Sequence, residues 1–102
     1  MRHKPKYNNQ YLIYEDKDGN QTGFYCNELH NNKQIEMLIN QPVKDGGSKF
    51  ITDSDIDFAI NGKIIQGDVT YRIQSLPDII PRSTDNNSRR GYFRKDKVII
   101  TS

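Results

Sequence analysis

Apolar and polar residues alternate along much of this chain, and turn-forming pairs interrupt the alternation every few residues. From Phe50 to Ile60, Phe50, Ile56, Phe58 and Ile60 share one parity while Asp53, Asp55 and Asp57 share the other. Val69-Thr70-Tyr71-Arg72-Ile73-Gln74 repeats the pattern with Val69, Tyr71 and Ile73 on the inward side. Successive side chains of an extended strand point to opposite faces, so this period predicts strands with one apolar face. Asn61-Gly62 and Gly67-Asp68 punctuate the runs. Both residues of an Asn-Gly pair accept the positive φ of a tight hairpin turn, which makes Lys63 to Gln66 a short strand between two turns.

The same reading extends outward. Tyr11-Leu12-Ile13-Tyr14 and Thr22 to Cys26 flank Asp16-Lys17-Asp18-Gly19-Asn20, a hairpin signal, and Lys97 to Thr101 reads as a closing strand. The span 27–43 is open to two readings. Ile35, Leu38 and Ile39 lie at helical spacing with Asn31 or Asn32 placed to cap. Ile35, Met37 and Ile39 also alternate as a strand, and the neighbouring hairpins favour the strand. Pro42 and Asp45-Gly46-Gly47-Ser48 close the span as a loop. The expected fold is mainly β: a small single-domain β-barrel or sandwich of about six short antiparallel strands with a long polar loop. Residues 1–9 form an N-terminal arm, residues 10–102 the single β domain, and 81–91 its loop.

Composition sets limits on this fold. A chain of 102 residues with 33% apolar content makes one domain with a thin core. Assembly with copies or partners would supply the missing burial. Cys26 is the only cysteine, so no intrachain disulfide forms, and a half-buried strand thiol is its expected state. The charged start (Arg2, His3, Lys4, Lys6) is followed by no apolar run, unlike a signal peptide, and no stretch is long enough to span a bilayer. The expectation is a protein that works in the cytoplasm without a membrane.

The loop, PRSTDNNSRRG from Pro81 to Gly91, carries no apolar side chain that a core would need. From Arg82 to Lys97 there are six basic residues and two acidic ones, +4 in a chain whose total is +2. Arg82, Arg89, Arg90, Arg94, Lys95 and Lys97 are candidates to grip phosphate or carboxylate, with Tyr92 and Phe93 placed to stack on a base or fill a partner's pocket. A solvated loop explains the same residues without function. No RNP1, zinc-finger or helix-turn-helix pattern is present, which points to non-specific contact with double-stranded DNA or to ordering on a protein.

Asp53, Asp55 and Asp57 form the one carboxylate cluster. Alternate carboxylates suit a hard cation, but Phe58 and Ile64 stand where an EF-hand loop needs Gly and Glu. A solvated strand face that discourages edge pairing, or an acidic surface facing a basic partner, fits the pattern better. His3 and His30 sit in no motif with a nucleophile or carboxylate, and no phosphate loop, H-E-x-x-H or C-x-x-C occurs. The reading is a non-enzyme with no cofactor and no metal.

The order of parts, with Ile65-Gln66-Gly67-Asp68-Val69-Thr70-Tyr71-Arg72-Ile73 leading to the polar loop and a last strand, resembles the small head–tail joining proteins of long-tailed bacteriophages, the head-closure or stopper group in particular. The resemblance covers residues 50–101. It implies a β-barrel placed in a ring of copies between portal or adaptor and tail proteins, made in the host cytoplasm and ending in the virion neck. Channel-facing loops of that family help retain packaged DNA. The middle insertion here is short for a channel plug, and arginines in the loop would grip DNA rather than merely obstruct it. Two other readings are a nucleic-acid-binding β-barrel module using the 82–97 segment on phosphates, and a DNA mimic using the acidic strand, which the +2 charge disfavours.

Overall fold

The computed structural model describes residues 6–44, 46–79 and 96–102. Among the described residues six strands form, β1 (Gln10–Glu15), β2 (Gln21–Leu29), β3 (Lys49–Thr52), β4 (Lys63–Gln66), β5 (Val69–Ser75) and β6 (Lys97–Thr101), with one helix, α1 (Asn32–Ile39). All neighbours are antiparallel, and the strands close into a barrel in the order β1-β2-β3-β6-β5-β4. The barrel, rather than the sandwich, is what the alternating pattern encodes. β2 makes closure possible: Gln21–Cys26 pair with β1, and Asn27–Leu29 turn away to pair with β3.

The barrel interior holds Leu12, Tyr14, Phe24, Cys26, Phe50, Ile64, Ile73 and Ile99, all buried. A second cluster lies outside the barrel wall. Ile51 and Val98 are register partners one residue along from Phe50 and Ile99, so they point outward, and Ile35 and Ile39 of α1 cover them. β3 and β6 are therefore apolar on both faces, which alternation alone does not distinguish from a half-buried strand.

The span expected as a strand at 27–43 is instead the end of β2 followed by α1. Asn31 caps the helix, its Oδ1 accepting from the amides of Lys33 at 3.0 Å and Gln34 at 3.2 Å. Asn40 ends it in the left-handed conformation, φ 56°, with its N–H bonded to the Glu36 carbonyl. Helical spacing wins because the outer face of β3–β6 needs covering. An extended chain would bury Met37 alongside Ile35 and Ile39, whereas Met37 is exposed.

The strand expected from Phe50 to Ile60 is likewise shorter, stopping at Thr52. Beyond it, side-chain oxygens replace ladder partners: the Thr52 hydroxyl donates to the Tyr25 carbonyl at 2.7 Å and accepts from the Ser54 amide, and Ser54 Oγ accepts from the Ile56 amide. The alternation survives in part, since Ile56 and Phe58 pack against the barrel core, but Ile60 is exposed. Asn61-Gly62 makes a turn, though not the expected hairpin between paired strands. Gly62 N–H bonds to the Ala59 carbonyl, and residues 61 and 62 together face Ile73, a bulge with Asn61 at φ 76°. Gly67-Asp68 is the two-residue hairpin turn between β4 and β5, with Gln66 opposite Val69.

If α1 is capped as described, Asn31→Ala is expected to lower unfolding free energy by about 1 kcal/mol. Ile35→Ala should cost roughly 2–5 kcal/mol. Urea denaturation followed by circular dichroism measures both, and a neutral Asn31→Ala would contradict the cap.

Candidate functional site

One end of the barrel is closed by residues 53–62, which run from the end of β3 across to the start of β4. Phe58 is the centre of this plug, its ring meeting Tyr14 and Phe24 edge-on at centroid distances of 5.0 Å each. Tyr14 also accepts, at its hydroxyl, the Ala59 amide at 3.1 Å. Gly62 is required here because a Cβ would strike the Tyr14 ring. The plug is thus held by Tyr14 and Phe24 from below and by Lys97 from the side.

Lys97 is the one residue of the expected basic contact set that falls among the described residues. Its Nζ donates to the Ile56 carbonyl at 2.6 Å and stands 5.6 Å from the centre of the Phe58 ring. The ammonium is spent on pinning the plug to β6. Arg82, Arg89, Arg90, Tyr92, Phe93, Arg94 and Lys95, and the loop 81–91, lie outside the described residues.

The residues flanking that stretch are anchored. Ile79 packs against the second cluster. Asp96 is gripped by the N-terminal arm: Lys6 Nζ lies 3.1 Å from its Oδ2, and the Tyr7 hydroxyl donates to the same oxygen at 2.8 Å. The Lys6 amide reaches Asp53 Oδ2 at 3.3 Å, and Tyr7 packs on the second cluster. Residues 6–9 are therefore a strap across the ends of β3 and β6, a role the sequence hid because Tyr7 is an isolated aromatic in a polar run.

Asp53, Asp55 and Asp57 do not form the exposed strand face expected of them. Asp53 is buried beneath the strap, and only Asp55 and Asp57 are exposed. Among the described residues no group of three His, Cys, Asp or Glu side chains is arranged to hold a metal. A groove lined by Ile39, Gln41, Val43, Lys44, Gln74 and Ile100 has no described histidine, cysteine, aspartate or glutamate side chain in its lining. No helix among the described residues is long and apolar enough to cross a membrane.

Lys6 and Tyr7 in the strap and Cys26 in the barrel interior are shifted from their ordinary values. The hydrogen bond to Asp96 raises Lys6, burial raises Tyr7 with Asp96 adding to it, and burial with the nearby Glu28 pushes the Cys26 thiol up to about 12. No protein-family model, curated protein or solved structure matches the chain.

Two outcomes follow from these contacts. The unfolded Cys26 thiol ionises near its ordinary 9.0 while the folded one holds its proton to about 12. Folding stability should then fall as pH rises between those values, and the thiol should resist alkylation until the chain unfolds. Asp96→Asn removes the charge that holds Lys6 and Tyr7, with an expected loss of roughly 1–2 kcal/mol. Hydrogen exchange at residues 6–9 should quicken while the barrel amides stay protected.

Proposed function

We propose that this chain is a structural protein of the bacteriophage neck, joining head to tail as a ring of copies in the head-closure or stopper position. One observation carries the reading: a closed barrel anchors both flanks of an arginine-rich stretch, through Ile79 on the second cluster and Asp96 under the strap. A rigid body with a basic segment fixed at both flanks suits a ring that contacts packaged double-stranded DNA through phosphates. The hairpin that carries the resemblance, Ile65 to Ile73, is the β4–β5 hairpin of the barrel. The role is one of assembly rather than catalysis, needing no cofactor or metal, with portal or adaptor and tail proteins as neighbours. The protein would assemble in the host cytoplasm and remain in the virion neck.

Deleting the gene from its phage and imaging the induced particles tests this. Heads that have lost DNA, beside free tails, are expected. Normal infectious virions would end the reading, and a DNA-binding series in rising salt would then test the isolated β-barrel module instead.

A further inference from the structure

The bulge at the barrel mouth dictates a chemically labile dipeptide. Asn61 sits at φ 76°, a conformation asparagine tolerates better than most residues, and position 62 must be glycine because a Cβ would strike the Tyr14 ring. The result is the only Asn-Gly pair in the chain. In such a pair the glycine amide nitrogen attacks the asparagine side-chain carbonyl with no Cβ to crowd its approach. Two features of the fold oppose that attack here. The nitrogen must first give up its proton, yet Gly62 is buried and its N–H is bonded to the Ala59 carbonyl at 3.0 Å. The peptide must also swing, yet Ile73 holds it on both sides. The Asn61 N–H donates to the Ile73 carbonyl and the Gly62 carbonyl accepts from the Ile73 amide, each at 2.9 Å.

We infer that Asn61 is a deamidation site gated by the plug, inert while residues 53–62 close the mouth and converted when they lift. The Gly62 nitrogen bonds to Asn61 Cγ, and the side-chain nitrogen leaves as ammonia, taking the proton the Gly62 nitrogen gave up. Water then opens the resulting succinimide at one of its two carbonyls, giving aspartate or isoaspartate with no oxidant or cofactor. The two products have opposite consequences. Aspartate keeps the backbone and tolerates positive φ, so the bulge reforms. Isoaspartate routes the chain through the side chain and adds a backbone methylene between the Asn61 N–H and the Gly62 carbonyl, the two groups paired with Ile73. Those bonds are no longer made together, and the plug does not reseat. Lifting is local, because residues 53–62 are held by the Phe58 ring contacts and the Lys97 bond to Ile56 rather than by a strand ladder. The inference stands apart from the neck reading.

The test ages the full chain at one mildly alkaline pH, folded in buffer and unfolded in guanidinium chloride, and follows the tryptic fragment 50–63 by mass spectrometry. Asn61 is the only side-chain amide in that fragment, so the mass gain of amide-to-acid conversion reports it alone. Conversion should be at least about tenfold slower in the folded chain. Phe58→Ala should bring the rate in buffer most of the way to the unfolded rate while circular dichroism shows the barrel intact. Lys97→Met, which cuts the tie to the Ile56 carbonyl, gives a second reading in the same direction should Phe58→Ala not fold. Equal rates folded and unfolded, or no conversion in denaturant, would overturn the site. Folded variants that leave the rate unchanged would overturn the gate. In aged protein, hydrogen exchange at the Ile73 amide should be fast in the isoaspartate form and slow in Asn61→Asp. Equal protection in the two would overturn the loss of closure.

Discussion

Everything in this barrel depends on the pairing of β3 with β6, two short strands buried on both faces. Phe50 and Ile99 fill the interior while Ile51 and Val98, one residue along, hold α1 to the outside. Each pair of ladder bonds is thereby shielded from water on two sides, and side-chain burial of about 25 cal/mol per Å² is gained on both. With apolar residues at only 33% of the chain, this economy matters. Two thin cores share one wall, so a few residues serve two layers of packing.

The plug and the strap extend the same wall. Thr52 ends β3 by turning its hydroxyl to Tyr25, and from there hydroxyl oxygens carry the chain across the barrel mouth without ladder partners. Lys97, opposite Thr52 in register, ties the plug back to β6. Asp53 and Asp96, the next residues outward on the two strands, receive the arm. The end of β3, the plug, the Lys97 tie and the seat of the arm are thus all organised by one strand pair.

Much of this was legible in the sequence wherever the pattern was local. The β1–β2 and β4–β5 hairpins follow from alternation on either side of glycine turns, and Tyr71 and Ile73 face the core as expected, whereas Val69 at the hairpin end is exposed. The helix was not legible, because Ile35, Met37 and Ile39 satisfy both periods, and the deciding fact is a distant one: Ile51 and Val98 need a cover. The acidic residues misled for a related reason. Their alternation with Ile56 and Phe58 is real, but the backbone between them is satisfied by Thr52 and Ser54 hydroxyls, so no strand forms and Asp53 is drawn under the arm. The strap itself joins residues about ninety positions apart in sequence. No window of local pattern contains both ends.

The position of β6 in the strand order has a bearing on how the chain reaches this state. It is inserted between β3 and β5, and it is made after the five other described strands. Until then the nascent sheet is an open ribbon with β3 at one border and β5 at the other, both with unpaired amides and carbonyls. Phe50 and Ile73 face a void, and Ile51 has no neighbour at 98 to complete the shelf for α1. Closure is therefore a late, long-range event of the kind that slows folding and exposes sticky edges. Both open borders are where edge-to-edge pairing with another copy would begin, and the docking of β6 removes the two at once.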